Sequence, residues 1–172
     1  MKLYSTLWSC SLLLSSFGLL ATASAAVPDT AALAGSVEQQ VVDWRRHFHQ
    51  YPELSNREFN TAKTIADELK RLGLEVKTGV AHTGVTGFLR GSKPGPTVAL
   101  RADMDALPVL EASGLPFAST ATATFRGKKT GVMHACGHDT HMAILLGVAK
   151  SLTQIKGELT GNVLFIFQPA EE

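Results

Sequence analysis

The sequence predicts an α/β protein with a mostly parallel sheet flanked by helices. Segments with helical and strand-like patterns alternate along the chain, which is the order typical of this class. Residues 162–167 are apolar at almost every position, as expected of a strand buried on both faces of a parallel sheet. Residues 36–50 and 59–72 instead repeat apolar side chains at helical spacing.

Three helices are predicted, the first two with a capping box. Ser36-Val-Glu-Gln39 and Ser55-Asn-Arg-Glu58 have the spacing with which a serine and a glutamate or glutamine satisfy the free N–H groups of a helix start. Gly73 ends the second helix, since glycine adopts the left-handed conformation found after helices. The third helix is expected over residues 140–152.

Four strands and one long excursion complete the predicted domain. The strands are expected at 74–77, 85–90, 97–102 and 162–167, with 97–102 buried. Residues 106–129 are rich in Pro, Gly, Ser and Thr and show little periodicity. An excursion of this length within a compact domain is often functional.

The first 25 residues have the pattern of an export signal. Lys2 precedes an apolar run over residues 7–20, and Ala23-Ser-Ala25 has the small residues of a cleavage site. The run is shorter than the ~20 residues that a membrane-spanning helix needs, so no stable membrane anchor is expected. We therefore expect an exported protein, periplasmic or secreted, with a signal peptide at 1–25, a linker at 26–35 and one domain over 36–172.

Composition excludes one class of partner and draws attention to one thiol. A net charge of +1, from 16 basic and 15 acidic residues, provides no basic surface for nucleic acid. Once residues 1–25 are set aside, Cys136 is the single cysteine. A lone thiol in an oxidising compartment is expected either to bind a metal or to be buried and inert.

The segment around Cys136 has the residue types of a metal site. Cys136 and His138 are separated by one glycine, so both side chains can point toward a shared ion, and thiolate with imidazole suits zinc. Glu171 and Glu172 follow an apolar strand, and two adjacent carboxylates repel each other unless a cation or a proton lies between them. One of the pair is expected to ligate metal while the other acts as general base. The alternative is a solvated acidic start to a further helix.

Other polar residues flank these motifs. Asp103 and Asp105 lie two apart at a strand end, so both can face the cleft. One of them is expected to contact the metal or to orient a ligand imidazole, with ordinary capping as the alternative. His134 and His141 are expected to be supporting or structural. The remaining histidines, which have no partner visible from spacing, are interpreted as structural: His47, His49 and His82.

Four motifs together resemble one enzyme family. They are WRRHFHQYPELS at 44–55, LRADMDALP at 100–108, HACGHDTH at 134–141 and FQPAEE at 167–172. In this order they are similar to the two-metal amidohydrolases that include hippurate hydrolase, N-acyl-L-amino-acid amidohydrolases and the hydrolases of auxin-amino-acid conjugates. Such enzymes have a zinc-peptidase-like catalytic domain.

The resemblance implies specific roles and a reaction. It implies that Cys136, His138 and Glu172 are metal ligands, that Glu171 is the general base, and that Asp103 and Asp105 are supporting residues. The implied cofactors are two divalent ions, manganese or zinc and possibly cobalt. The implied reaction is hydrolysis of the amide bond of a small N-acyl-amino acid, by water attack on a metal-polarised carbonyl.

The resemblance also implies residues beyond this sequence. The family has a lid and dimerisation domain, through which a homodimer would form, and two further histidine ligands after the glutamate pair. These features are not found in the 172 residues. We therefore expect an N-terminal fragment that has little or no activity alone.

Three alternative functions remain open at this stage. A metallo-dipeptidase would share the architecture. A non-catalytic metal-binding remnant would keep the scaffold without the reaction. A thiol hydrolase would use Cys136 as nucleophile and would be indifferent to chelators.

Overall fold

The structure is a computed structural model that describes residues 28–172. The predicted export signal at 1–25 and the first part of the predicted linker lie outside the described residues. The helices are α1 (Thr30–Gln50), α2 (Phe59–Arg71) and α3 (His138–Gln154). The strands are β1 (Glu75–Val80), β2 (Gly84–Arg90), β3 (Lys93–Asp103), β4 (Thr122–Phe125), β5 (Lys128–Gly131) and β6 (Thr160–Gln168).

The main sheet has the strand order β1-β2-β6-β3. The predicted α/β class is confirmed, but the expectation of a mostly parallel sheet is wrong for the described residues. Only β3 and β6 pair in parallel, whereas β1 with β2 and β2 with β6 are antiparallel. A three-residue turn joins β1 to β2 and leaves no room for the crossover that a parallel pair needs. The apolar residues of β6 indicate that it is buried between two neighbouring strands, but they do not indicate the direction of those strands.

The helices cover the sheet and enclose one main core. Helix α2 packs against β1 and β2, while α3 packs against β3 and β6 and also contacts α1. The large side chains that are fully buried in this core include Ile65, Leu69, Leu146, Phe165 and Phe167. The core therefore fixes the relative positions of α3 and the two parallel strands.

Strand β3 differs from its predicted burial. It lies at the edge of the sheet, and Val98 on it is 55% exposed while Ala102 is buried. Its apolar residues predicted a strand correctly, but only pairing across the sheet determines which strand is at the edge. The buried end of β3 is the end that leads to Asp103.

Helix α1 begins earlier than its sequence predicted. Asp29 accepts hydrogen bonds from the N–H groups of Ala31 and Ala32, so residues 30–35 of the predicted linker are helical. Ser36 lies inside the helix and donates to the carbonyl of Leu33. The alanine-rich start of the segment favours helix, which lets the earlier cap at Asp29 prevail.

The capping box predicted for α2 is also wrong. The carboxylate of Glu53 accepts the N–H groups of Asn60 and Thr61 at 3.2 and 2.8 Å and provides the cap. Ser55 instead donates to Asp105, and Glu58 is buried without any capping bond to the helix. The S-x-x-E spacing fits a capping box, but both side chains bind distant partners instead.

The excursion after β3 carries a small second sheet. Strands β4 and β5 form an antiparallel hairpin within it, and isolated bridges connect Leu54 to Ala106 and Leu107 to Met133. These bridges hold the excursion beside the end of β3. Among residues 28–172, no helix combines the length and apolar character required to cross a membrane.

Candidate metal centre

The predicted site residues meet at one end of the parallel strand pair. Asp103 ends β3, and Glu171 and Glu172 follow β6, with Asp103 opposite Gln168 in the register. His138 begins α3, two residues after Cys136. Because parallel strands end at the same edge, the carboxylates of both strands face the start of α3.

Two groups of ligand atoms form there. The cysteine triad consists of Cys136, His138 and Glu172, and the aspartate triad consists of Asp103, His138 and Glu171. Within each triad the sulfur, nitrogen or oxygen atoms lie within 4.8 Å of one another. Ligands at ~2.0–2.3 Å from a tetrahedral ion stand about 3.3–3.8 Å apart, so small side-chain movements would let either triad hold a divalent ion.

His138 is oriented by its backbone neighbourhood. Its Nδ1 lies 2.9 Å from the carbonyl oxygen of Asp105, which can only accept, so Nδ1 carries the proton and donates. The lone pair of Nε2 is therefore available, and Nε2 lies 3.6 Å from Glu171. One nitrogen lone pair serves one ion, so the two triads compete for His138.

Asp105 supports this arrangement from beneath the site. It is buried, and its Oδ2 accepts the hydroxyl of Ser55 at 2.7 Å and the N–H of Glu172 at 2.9 Å. Burial raises the pKa of Asp105, but the hydrogen bonds from Ser55 and the backbone outweigh it and the pKa is lowered. The carboxylate of Asp105 therefore stays ionised and orients Glu172, while its carbonyl oxygen orients His138. The supporting role of Asp105 stays a prediction.

Asp103 has a different environment. Its Oδ1 accepts Nε and Nη2 of Arg101 at 2.8 and 2.6 Å. The sequence left open whether either aspartate contacts metal, orients a ligand imidazole or only caps the backbone. In the structure Asp103 lies among the potential ligands, whereas Asp105 faces the back of His138.

The thiol of Cys136 is exposed and surrounded by acids. The hydrogen bond to Glu172 is the main cause that raises the pKa of Cys136, followed by burial and by the charges of Glu172, Glu171 and Asp103. A nucleophilic thiol needs a lowered pKa, usually beside a cationic group. The acidic surroundings therefore disfavour a thiol hydrolase and suit a thiol that ionises when a cation binds.

The two flanking histidines lie outside both triads. His134 is buried, and burial is the main cause that lowers its pKa to about 4. Neither of its ring nitrogens has a hydrogen-bond partner among the described residues. His141 is exposed, with its ring centroid 6.0 Å from that of His138. Their assignment as supporting or structural residues stays a prediction.

One buried ionic network was missed by the sequence. His49, interpreted as structural, lies between two carboxylates, with Nδ1 2.8 Å from Asp139 and Nε2 2.9 Å from Glu111. Arg45 contacts the same oxygen of Asp139 at 3.0 Å. The network joins α1, the excursion and the first turn of α3, directly beside His138. His49 and Asp139 are 90 residues apart, so no local spacing predicts the network.

Glu111 makes the network sensitive to acid. Burial raises the pKa of Glu111, but hydrogen bonds from Ser113, His49 and the N–H of Ser119 outweigh it and lower the pKa from 4.5 to about 2. A lowered pKa stabilises the fold above the unfolded value, and this contribution is lost as pH falls from 4.5 toward 2.

We expect Glu111→Gln to reduce stability at neutral pH and to reduce it less in acid. The free energy of unfolding of both proteins, measured by urea denaturation without metal, should differ most at neutral pH and converge below about pH 4.5. Glu38→Gln, at an exposed position of α1, is the control and should leave the pH profile unchanged. A difference that is constant from neutral to acidic pH would contradict the assignment.

Comparison with known proteins identifies the same region. Residues 99–172 match the model of Peptidase family M20/M25/M40. Thermostable carboxypeptidase 1 of Saccharolobus solfataricus is 54% identical over 137 residues, covering 79% of this chain and 33% of that protein. The N-acyl-L-amino acid amidohydrolase of Geobacillus stearothermophilus is 44% identical over 140 residues, covering 81% and 36% respectively.

A solved structure shares the fold. A Bacillus subtilis protein described as a dinuclear metal-binding peptidase of the M20 family superposes with a TM-score of 0.70 at 42% identity, covering 82% of this chain and 36% of that chain. This chain spans about a third of the length of the curated relatives that it matches. All five residues of the two triads lie within 99–172, the part of the chain that matches Peptidase family M20/M25/M40, and this match agrees with the family resemblance of the sequence motifs.

Proposed function

We propose that this protein contributes the metal-binding centre of an amidohydrolase that cleaves N-acyl-amino acids. The observation that carries the proposal is the cysteine triad, with Glu171 beside it, at the carboxyl end of β6. Sequence relatives named amidohydrolase and deacetylase support the reaction class.

Three of these residues would be metal ligands, and a fourth would be the general base. Cys136, His138 and Glu172 would hold one divalent ion, which when bound polarises the scissile carbonyl and makes water a stronger nucleophile. Glu171, whose side chain is 43% exposed, accepts the proton of the attacking water and passes it to the leaving nitrogen. The carbonyl oxygen of Asp105 accepts the proton of Nδ1 of His138 in a hydrogen bond, which leaves Nε2 unprotonated and free to bind the ion.

A second ion would bind near Asp103 and Glu171. The dinuclear description of the Bacillus subtilis structure supports two ions in the family. Since His138 serves one triad at a time, a complete second site requires a ligand from outside the described residues. Thiolate and imidazole ligands favour zinc, whereas a site whose other ligands are carboxylates also suits manganese or cobalt.

Two alternatives use the same centre. A peptidase acting on dipeptides would need the same metal ligands and general base. The relative named thermostable carboxypeptidase 1 favours this alternative. A non-catalytic metal-binding protein would keep the cysteine triad alone. We further propose, from the pattern of residues 1–25, that the protein is exported, and from the family resemblance that it forms a homodimer.

The test compares the chain with a completed enzyme. In the chimera, residues 30–172 replace the matching segment of the Geobacillus stearothermophilus amidohydrolase. With manganese or zinc, we expect the chimera to hydrolyse N-acyl-amino acids faster than dipeptides. The 172-residue chain alone should be at least about 100-fold slower, because the two triads of the described residues share His138 and cannot both be complete.

Two outcomes would overturn the proposal. Turnover that survives exhaustive chelation and is abolished by thiol alkylation would indicate a thiol hydrolase. A chimera that folds and binds metal but prefers dipeptides would favour the peptidase. The parental amidohydrolase, assayed in parallel, calibrates both measurements.

A further inference from the structure

Glu58 is a buried acid whose position the helix does not explain. Its exposure is 0%, and the cap of α2 is provided by Glu53 instead. A carboxylate removed from water is unfavourable unless hydrogen bonds satisfy it. Two do so: the hydroxyl of Thr83 donates to Oε2 at 2.6 Å, and the N–H of Ala170 donates to Oε1 at 2.9 Å.

Ala170 is the residue that turns the chain into the candidate site. Its φ of +52° lies in the left-handed region, which is unfavourable for residues with a Cβ. It follows Pro169, which has no N–H, so the N–H of Ala170 is the first backbone donor after β6. A residue held in this conformation needs its surroundings to keep it there.

The turn is held by a buried acid at each end. Glu58 accepts the N–H of Ala170, and Asp105 accepts the N–H of Glu172. Glu171 lies between these two hydrogen-bonded residues, and Glu172 is itself the second of them. In this turn the ligand atoms of Glu171 and Glu172 both lie within 4.8 Å of a ligand atom of His138, and that of Glu172 lies within the same distance of Cys136.

We propose that Glu58 is a positioning residue for the glutamate pair: its carboxylate holds Ala170 in the left-handed conformation and thereby directs Glu171 and Glu172 into the two triads. The consequence for metal binding rests on the proposed function, whereas the hold on Ala170 does not. Without Glu58, Ala170 relaxes toward negative φ and both carboxylates turn away.

Substitutions separate this role from general stability. Glu58→Ala removes both acceptors, and Glu58→Asp keeps the charge but is one methylene too short to reach Ala170. Glu58→Gln keeps an acceptor for Ala170 and donates to the hydroxyl of Thr83 instead. Ala170→Gly removes the cost of positive φ and is expected to compensate for loss of Glu58. Glu53→Ala is the matched control, since it weakens the start of α2 without touching Ala170.

Two readouts are measured on the full 172-residue chain. The first is amide hydrogen exchange of Ala170 and Glu172 in the metal-free protein, relative to buried amides of α3. The second is cobalt titration, followed by the absorption band of the cobalt–thiolate bond at Cys136. Neither depends on turnover.

We expect Glu58→Ala and Glu58→Asp to accelerate relative exchange at Ala170 and Glu172 about tenfold and to weaken cobalt binding about tenfold, the scale at which metal-supporting residues act. Glu58→Gln should stay close to the unsubstituted protein. Adding Ala170→Gly should restore at least about threefold of the affinity lost in either Glu58 variant, by removing the strain of positive φ. It should not help Glu53→Ala.

The outcomes distinguish the two proposals. Equal loss of cobalt affinity in Glu58→Asp and Glu53→Ala, or no restoration by Ala170→Gly, would overturn the positioning role. If the unsubstituted chain binds no cobalt, the proposed metal centre fails. The exchange data then decide by themselves, and unchanged relative exchange in Glu58→Asp would overturn the role of Glu58.

Discussion

Glu171→Gln in the chimera is expected to lower kcat by about 10²–10⁴-fold, the range that a general base contributes. Gln has nearly the same shape but cannot accept the proton of the attacking water. Cys136, His138 and Glu172 remain, so the ion of the cysteine triad should stay bound. Steady-state kinetics and metal content of the purified variant, measured together, check both parts of this expectation.

A matched control comes from the segment at the opposite end of strand β6. Glu158 is exposed just before β6, at the end opposite the site, and Glu158→Gln should change kcat less than about twofold, as expected of a surface substitution. Loss of one bound ion in Glu171→Gln would assign Glu171 to the aspartate triad as a ligand. Retention of rate in this variant would remove it from the reaction altogether.

His138→Ala should abolish tight metal binding, because His138 belongs to both triads. Residues that only support a ligand typically cost 10–100-fold in affinity, so loss of the shared ligand is expected to cost more than about 100-fold. Isothermal titration of the chain with zinc or cobalt measures this. The remaining sulfur and carboxylates cannot complete either triad.

His141 provides the comparison for this substitution. It lies on the same turn of α3 with its ring centroid 6.0 Å from that of His138, and it is exposed and belongs to neither triad. His141→Ala should therefore cost at most the roughly 10–100-fold in metal affinity that a supporting residue costs, and clearly less than His138→Ala. Similar losses in both variants would mean that the metal site lies elsewhere on α3.

The local parts of the centre were predictable from spacing. Cys136 and His138 are two apart, and Glu171 and Glu172 are adjacent, so their proximity within each motif follows from covalent connectivity. Asp103 was placed at the same edge because strand ends in α/β sheets collect there. These residues meet in the structure as expected.

Other residues show where spacing misleads. Ser55 and Glu58 match a capping box, yet Ser55 binds Asp105 and Glu58 binds Thr83 and Ala170. His49 had no partner at short range but lies between Asp139 and Glu111. A hydrogen bond requires that donor and acceptor lie close together in space, and local spacing in the sequence does not show which distant groups become neighbours.

The order of residues alone was enough to establish the chemical groups of the centre, the α/β class and the family resemblance, because each rests on patterns within a few neighbouring positions. Folding decided strand direction, the edge position of β3 and which acids hold the site in place. Glu58 and Ala170 are 112 residues apart, and Asp105 and Glu172 are 67 apart. Only the packing of α2 against β1 and β2 and the pairing of β3 with β6 bring those groups within hydrogen-bonding distance.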